Sequence, residues 1–187
     1  MSGKYGFTLV EFVIVMGLLC MLLVNMPLPD FAARRQKLAI EDMMLQIQNA
    51  IMMARMSAIN ENVMVTFCRS SDGENCTGSW NEGSIIFTDF NADHVLNGRD
   101  RLLFRLPPVT TDGRLSFNSF RNRQYLQLTP RGITNFQNGN FTFCPYNGDT
   151  TMAAQLILSF SGKTRMSVDT NSNGIVENSQ GIDLDCS

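Results

Sequence analysis

Residues 7–24 form an apolar run that constrains the fold of this chain more than any other part of its sequence. Fifteen of these 18 residues are apolar, and the one charged side chain among them is Glu11. At about 1.5 Å per residue, a helix of this length is about long enough to cross a bilayer core. A carboxylate inside a membrane costs roughly 3 kcal/mol or more and therefore needs a partner. The run predicts a transmembrane helix half over residues 7–29, with a functional acid.

A cleaved secretory signal peptide is the competing interpretation of this run. The apolar core of such a peptide carries no acid and ends in a small-residue cleavage site of the A-x-A type. Here Glu11 lies within the run, and the sequence Asn25-Met26-Pro27-Leu28-Pro29 follows it. We therefore expect the segment to be retained in the mature protein.

The start of the run resembles a known processing signal. Residues 4–11 fit the pattern K-x-G-F-T-L-x-E, which resembles the class III signal of type IV pilins and type II secretion pseudopilins. The resemblance implies that a prepilin peptidase cleaves after Gly6, which removes a leader peptide of residues 1–6, and that Phe7 is then N-methylated. It also implies that Glu11 pairs with the new terminal amine of a neighbouring subunit. Opposite charges attract strongly where the dielectric constant is low, which supports this pairing.

A second helical pattern covers residues 30–60. Pro27 and Pro29 interrupt the first helix, because each removes a backbone donor and clashes with the preceding turn. Asp30 can cap the next helix. Apolar side chains then recur at steps of three and four residues, which predicts one buried face of an amphipathic helix packed against the sheet of the same chain. These side chains are Ile40, Met43, Ile47, Ala50, Ile51, Ala54 and Ala58.

Beyond residue 60 the pattern changes from helical to alternating. Short segments rich in Val, Ile, Leu, Phe and Thr are separated by turn residues, which predicts antiparallel strands. The predicted strands are Val63–Cys68, Ser84–Phe90, Leu102–Leu106, Leu115–Phe120, Tyr125–Leu128, Phe141–Cys144, Leu156–Phe160 and Thr164–Val168. The expected fold class is α+β. It is similar to the ladle of type IV pilins, in which a long N-terminal helix with a membrane-spanning first half packs on a β-rich head, here residues 61–187.

Composition excludes several classes of function. The chain has 17 acidic and 15 basic side chains, so a wholly basic nucleic-acid binder is excluded. The sequence has one histidine, His94, which we expect in a loop and from which no multi-histidine metal centre can be built. No nucleophile and base can be argued to meet, so no hydrolase or transferase is predicted. We expect no enzymatic activity, no cofactor and no metal centre.

The cysteines indicate an exported head. Cys20 lies in the apolar run, and the other four lie beyond residue 60: Cys68, Cys76, Cys144 and Cys186. Three pairings of these four are possible. We favour Cys68 with Cys76 and Cys144 with Cys186. A zinc site is disfavoured because the sequence lacks a C-x-x-C pattern, so we expect disulfides formed in an oxidising compartment.

Two stretches of the head resemble the GspH, FimT and FimU group of pilin-like proteins. Trp80 to Leu103 is similar to a segment of that group, with the W-x-x-G-x-x-x-F-x-D-x-N pattern over Trp80–Asn91 and a later acid before a strand. The second stretch is Ser161–Arg165, where a strand near the C terminus ends. The terminal Cys186 is more similar to FimU-type minor pilins than to the cysteine-poor FimT type.

A contact with DNA is an alternative that the same group implies. Gly162 to Arg165 resembles the G-R-x-R motif by which FimT-type proteins contact DNA, with Lys163 in place of the first arginine. Lysine keeps the charge but loses bidentate phosphate geometry. A second basic stretch carries interleaved aromatic residues that could stack on single strands. It comprises Arg114, Phe117, Phe120, Arg121, Arg123, Tyr125 and Arg131. Its ordinary explanation is a solvated strand face above buried aromatic residues.

Two acidic loops are compatible with calcium but more typical of turns. The first contains Asp89, Asn91, Asp93 and Asp100, and the second contains Asp169, Asn171, Asn173 and Gly174. The second begins like an EF-hand loop but has Gln180 where the twelfth position requires an acid. We expect Asx turns in both loops, with calcium in the first as the alternative.

The function expected from these patterns is that of a minor pilin. It would prime assembly of a type IV pilus and cap its tip, supporting adhesion and twitching motility. Its partners would be other minor pilins, the major pilin, the prepilin peptidase and the inner membrane. The protein would lie in the bacterial inner membrane before assembly and in the periplasmic or extracellular pilus afterwards. The alternatives are a GspH-like type II secretion pseudopilin and a FimT-like DNA-binding pilin.

Overall fold

The computed structural model describes residues 6–24 and 31–186. The chain divides into two compact units, one up to Arg35 and the other from Gln36 onward. Residues 1–5 of the expected leader lie outside the described residues. The same holds for the predicted interruption at Pro27 and Pro29 and for the predicted cap at Asp30.

Helix α1 (Leu9–Val24) occupies most of the first unit and is 16 residues long. Its side chains are exposed along its whole length. The residue before the helix, Thr8, stands in the N-cap position. None of the helices in residues 6–24 and 31–186 combines the length and the apolar character that crossing a membrane requires.

Helix α2 (Phe31–Glu61) buries one face along most of its length. The steps along this face alternate between four and three residues, as expected for a helix lying on a core. The buried side chains are Ile40, Met44, Ile47, Ala50, Ile51, Ala54 and Ala58. Met43, which the sequence places on this face, packs against the core but is only partly buried, whereas Met44 is fully buried. Met44 lies four residues after Ile40 and three before Ile47, so it continues the alternation.

Each strand among the described residues overlaps one that the sequence predicts. The strands are β1 (Val65–Arg69), β2 (Ser84–Thr88), β3 (Leu102–Leu106), β4 (Gly113–Ser119), β5 (Tyr125–Leu128), β6 (Gly139–Pro145), β7 (Ala154–Leu158) and β8 (Thr164–Met166). They form two antiparallel sheets of four strands, in the orders β3-β2-β1-β5 and β4-β6-β7-β8. The sequence pattern does not predict this division into two sheets.

The main core brings both sheets and α2 together around Trp80. The centre of the Trp80 ring lies 5.3 Å from that of Phe67 in β1 and 5.0 Å from that of Phe141 in β6. Both contacts are edge-on, which is a favoured arrangement of aromatic rings. A smaller cluster contains Cys68, Ile85 and Phe87, whose side chains point away from the main core. The α+β prediction of a long helix, antiparallel strands and disulfides is confirmed.

Candidate functional site

The expected assembly site at the N terminus is an exposed helix start closed by a reciprocal cap. The backbone amide and the hydroxyl of Thr8 both donate to Oε2 of Glu11, over 3.3 and 3.2 Å. The amide of Glu11 donates in return to Oγ1 of Thr8 over 3.2 Å. This T-x-x-E capping box satisfies two amides that a helix start leaves unpaired. It holds the Glu11 carboxylate at the first turn of α1, close in sequence to Phe7, which is 85% exposed.

The Trp80–Asn91 segment, which the sequence marks as a motif, mainly serves the fold. Trp80 is 4% exposed and lies at the centre of the core. Gly83 has φ +120°, and a Cβ there would lie 2.9 Å from the carbonyl oxygen of Leu106 in the neighbouring strand. A side chain at this position is therefore excluded both by its backbone conformation and by the close approach of β3.

Asn81 in the same segment is a structural residue that the sequence analysis misses. Its Nδ2 donates to the carbonyl oxygen of Gly113 over 2.6 Å, and its Oδ1 accepts the amide of Leu115 over 2.8 Å. Its backbone oxygen also accepts the amide of Val109 over 2.8 Å. Asn81 thus ties β4 of the second sheet to the segment that precedes β2 of the first. The sequence signal for it is only its place between Trp80 and Gly83.

Asp89 forms the buried centre of the first acidic loop. It is 0% exposed, and its Oδ2 accepts the hydroxyl of Thr66 over 2.6 Å and Nε2 of Gln127 over 3.1 Å. The amides of Asp93 and His94 donate to the two oxygens of the same carboxylate. Asp89 therefore holds the loop on the sheet as a satisfied hydrogen-bond acceptor.

The other carboxylates of this loop form Asx turns. Asp93 accepts the amide of Val95 and Nδ2 of Asn97, and these bonds, the first above all, lower the pKa of its carboxyl. Asp100 accepts the amides of Phe90 and Asn97. One oxygen each of Asp89, Asp93 and Asp100 lies within 4.8 Å of the others, the arrangement behind the calcium alternative. Local hydrogen bonds already engage each of these carboxylates.

The second acidic loop is also built from turns. Asp169 accepts the amides of Asn173 and Gly174, and Nδ2 of Asn173 donates to Asp183 further along the tail. Glu177, which the sequence analysis does not single out, is 6% exposed. It accepts the amide and the hydroxyl of Thr170, and these bonds lower the pKa of its carboxyl.

The Gly162–Arg165 motif lies at the turn between β7 and β8. The amide of Gly162 donates to the oxygen of Ser159, and the amide of Ser159 donates to the oxygen of Lys163. Gly162 has φ +73°, and a Cβ there would meet the carbonyl oxygen of Gly132, which explains the glycine. Lys163 and Arg165 are both exposed, and residues two apart at a strand point to the same side.

The basic stretch with interleaved aromatic residues does not form one stacking platform. Phe117 is 1% exposed and packs in the core, 5.7 Å from Trp80 and 4.4 Å from Phe141 between ring centres, so it cannot stack on a base. Phe120 is 57% exposed and lies beneath the guanidinium of Arg121. Phe117 faces the core because the side chains of β4 alternate between the core and the solvent, whereas Phe120 lies in the turn just after the strand ends.

Two disulfides close the head. Cys68 in β1 pairs with Cys76 across eight residues of sequence, and Cys144 in β6 pairs with Cys186 across 42. This is the pairing that the sequence analysis favours among the three. The second bond fastens the tail after β8 to the second sheet.

Comparison with known families tests the head rather than the N terminus. The sequence matches the model of the family described as "Type II transport protein GspH" over residues 44–162, more than half of the chain. The chain belongs to this family. The matched range contains the Trp80–Asn91 segment and ends at Gly162. Membership in the GspH family therefore rests on α2 and the head, while Gly6, Phe7 and Glu11 lie outside the match.

Solved structures show the same fold. A crystal structure of the type IV minor pilin FimU from Pseudomonas aeruginosa strain PAO1 superposes with a TM-score of 0.55 at 16% identity, covering 85% of this chain and all of that one (100%). A second crystal form of FimU gives a TM-score of 0.50 at 17% identity, covering 70% of this chain and 90% of that one. No curated protein matches the sequence. This GspH family member thus has the pilin-like fold.

Proposed function

We propose that this GspH family member is a minor pilin that primes the assembly of a type IV pilus and caps its tip. The observation that carries the proposal is the K-x-G-F-T-L-x-E pattern that leads into α1, with Glu11 in the first turn of the helix. The pilin-like fold and the disulfide-closed head support a structural subunit rather than an enzyme.

Processing and methylation would prepare the N terminus for assembly. The prepilin peptidase would cleave after Gly6, and Phe7 would become the methylated first residue. The Glu11 carboxylate, which Thr8 holds at the helix start, would then accept the amine of Phe7 from the adjacent subunit. Burial of both charges between apolar helices would make an unpaired partner costly, so the pairing would set the register of the two chains.

The inner membrane would hold the subunit before assembly. The 16 residues of α1 span about 24 Å, which is most of a bilayer core of about 30 Å. Apolar side chains cover α1, and the described residues bury none of them, which fits lipid or neighbouring helices as their surroundings. The head would then be periplasmic, and extracellular once in the pilus, an oxidising location that fits its two disulfides.

Charge removal at Glu11 tests the assembly mechanism. Glu11→Gln keeps a hydrogen-bonding side chain at the helix start but removes the charge, so leader cleavage should continue while incorporation into filaments falls strongly. Glu74→Gln, an exposed acid in a head loop, is the matched control. Immunoblots of sheared filaments and of membranes measure both steps. Normal incorporation of the Glu11→Gln chain would contradict the proposed pairing.

A type II secretion pseudopilin is the second candidate. It is favoured by the description of the matched family as a type II transport protein. A deletion strain separates the two: loss of surface pili supports the minor pilin, whereas loss of exoprotein secretion with pili retained supports the pseudopilin.

A contact with DNA through Lys163 and Arg165 remains a further proposal, supported by their exposure at the β7–β8 turn. Double-stranded DNA titrated at low salt should bind the wild-type chain and bind the Lys163→Ala/Arg165→Ala variant more weakly. Arg99→Ala, an exposed arginine in the β2–β3 loop, is the control. Absence of binding to the wild-type chain at tens of micromolar DNA would exclude the contact.

A further inference from the structure

Two exposed phenylalanines lie together where the β5–β6 loop meets the β7–β8 turn. The ring centres of Phe136 and Phe160 are 6.1 Å apart, and the two side chains are 63% and 47% exposed. The amide and the hydroxyl of Thr134 both donate to the carbonyl oxygen of Phe160, which fastens the loop to the turn. We call Phe136 and Phe160 the aromatic patch. Aromatic side chains are enriched at protein interfaces, so a pair of exposed rings in mutual contact indicates a docking surface.

The backbone at Phe136 is strained, and the core of the chain does not explain the strain. Its φ is +63°, in the left-handed region that bulky side chains rarely adopt. The side chain gains little burial from this conformation, because most of it stays exposed. Strained residues persist where the surrounding structure enforces them, and they cluster at functional sites. The conformation keeps the ring of Phe136 on the surface beside Phe160, although it destabilises the loop.

Three cations lie on the same loop, the same turn and the adjoining part of α2. Arg55 of α2 donates through Nε to the carbonyl oxygen of Gly132, and a Cβ at Gly162 would meet the same oxygen. Arg131 and Lys163 are the chain neighbours of these two glycines, so their exposed side chains start beside this contact. Among the described residues, no acid forms an ion pair with any of the three cations. The surface around the aromatic patch is therefore basic as well as apolar and suits a partner with carboxylates around an apolar side chain.

The charges of the head are segregated along the chain. Residues 113–148, which include the β5–β6 loop, contain four basic side chains and no acidic one. Residues 169–187, which follow β8 and form the tail, contain four acidic side chains and no basic one. The β7–β8 turn lies beside the start of β6, whereas the Cys144–Cys186 disulfide fastens the tail near the end of that strand. The basic and acidic surfaces thus lie at opposite ends of the second sheet, and only two different chains can bring them together.

The tail presents one large apolar side chain beside its acids. Ile182 is 64% exposed and is followed closely by Asp183 and Asp185. A turn fixes its position, since the amide of Ile182 donates to Oδ1 of Asn178 and the amide of Asn178 donates to the carbonyl oxygen of Ile182. A side chain that is held in place before binding loses less conformational freedom when it docks. Ile182 is therefore suited to pack against a pair of rings.

We propose that the aromatic patch of one copy of this chain packs against Ile182 of a second copy. The carboxylates of Asp183 and Asp185 in the second copy then lie near Arg131 and Lys163 of the first. Such a contact joins two different surfaces of the same chain, so each copy can use its patch toward one neighbour and its tail toward another, and a row of copies can form. The contact goes beyond the proposed function, since a pilus and a secretion pseudopilus would use it alike.

Disulfide cross-linking between two tagged full-length chains tests the contact in cells that express both. Both chains carry Cys20→Ala, one carries Phe160→Cys and the other Ile182→Cys, and copper phenanthroline is the oxidant. The mixed dimer should form several-fold more efficiently than the dimer of either single variant. The matched control has Phe104→Cys in place of Phe160→Cys, because Phe104 is similarly exposed (45%) but lies in β3 of the first sheet. Equal yields from the two pairs would overturn the proposal, as would cross-links from Phe160→Cys to other proteins alone.

The strain at Phe136 allows a test that separates docking from folding. Asn tolerates the left-handed region far better than Phe does, so Phe136→Asn should raise the urea midpoint of the chain, measured by the fluorescence of Trp80. In the chain with Phe160→Cys, the same substitution should lower the yield of the mixed dimer several-fold, because half of the aromatic patch is lost. An unchanged yield would overturn the proposal whatever the midpoint, and a lower midpoint would show that Phe136 serves the fold instead.

Charge reversal tests the electrostatic part of the contact. Lys163→Glu in the chain with Phe160→Cys should lower the yield of the mixed dimer about threefold, the size of effect expected for an exposed ion pair. Asp183→Lys or Asp185→Lys in the chain with Ile182→Cys should restore it. Arg99→Glu, which reverses an exposed arginine in the β2–β3 loop, is the control and should leave the yield unchanged. Failure of both reversals in the tail to restore the dimer would overturn the proposal, as would an equal loss with Arg99→Glu.

Discussion

The polar residues of the Trp80–Asn91 segment act mainly as hydrogen-bond partners that hold the two sheets and their loops together. Asn81 bonds β4 through both ends of its amide, and Asp89 accepts bonds from Thr66 and Gln127 in the first sheet. Polar side chains such as the part-buried Asn81 and the buried Asp89 matter chiefly through the groups that they would leave unpaired if they were removed.

Asn81→Ala should destabilise the head by about 2–3 kcal/mol, because the carbonyl of Gly113 and the amide of Leu115 would both lose their partner. Asn118→Ala is the control, since its one side-chain bond, to Asn140, is exposed. Urea unfolding can be followed by the fluorescence of Trp80, the single tryptophan of the chain. Equal unfolding free energies for the two variants would contradict the structural role of Asn81.

The tail held by Glu177 should loosen in acid. Hydrogen bonds from Thr170 lower the pKa of Glu177 in the folded chain below its ordinary value of 4.5. A lowered pKa means that the carboxylate contributes stability above about pH 4.5 and loses it as the pH falls through the lower, folded value. Amide exchange of Thr170 and Asn171 should therefore accelerate in acid beyond the intrinsic pH dependence. The Glu177→Gln variant should lack this extra acceleration, and an identical profile in both proteins would refute the assignment.

The burial and role of a single residue could be predicted where a regular spacing in the sequence sets them, but not where packing between distant segments sets them. The burial of Ile40 and Ile47 follows from helical spacing. Whether Met43 or Met44 is buried between them depends on which way the helix faces the core. Phe117 is buried in the core, as the explanation by a solvated strand face above buried aromatic residues expects, but composition alone also allowed it to stack on a base. Asp89 looks like a metal ligand in sequence, but its partners Thr66 and Gln127 come from other strands and are invisible to local pattern.

At the scale of elements, strand positions follow from alternation and turn residues, whereas the partners of each strand do not. β1 pairs with β5 across a long stretch of sequence, and β4 pairs with β6 in the other sheet. The alternation of side chains says which face of a strand is apolar but not which neighbour it meets. The two disulfides add connections that strand pairing does not make. The Cys144–Cys186 bond ties the tail to β6, and the Cys68–Cys76 bond ties one loop to β1.

Removal of the two disulfides should have unequal effects. The chain-entropy relation gives about 4 kcal/mol for a loop the size of Cys144–Cys186 and about 2.5 kcal/mol for one the size of Cys68–Cys76, whose sequence separations are 42 and eight. The Cys144→Ala/Cys186→Ala variant should thus unfold at lower urea concentration than the Cys68→Ala/Cys76→Ala variant. The reverse order would show that strain or packing, rather than loop closure, dominates these bonds.

At the scale of the whole molecule, the head and the N terminus support the same function in different ways. The head gives membership in the GspH family and the pilin-like fold. The N-terminal pattern predicts cleavage after Gly6, methylation of Phe7 and pairing of Glu11, and these predictions concern an assembly of several chains. Such contacts could not follow from the fold of one chain, because their partners would be created by proteolysis and supplied by neighbouring subunits.

Mass spectrometry of the intact chain extracted from sheared filaments tests the central claim most directly. Removal of the first six of 187 residues predicts a chain of 181 residues that begins with N-methylated Phe7 and contains two disulfides. The Glu11→Gln chain extracted from membranes should show the same cleavage. A chain from filaments that still carries residues 1–6 would contradict the account.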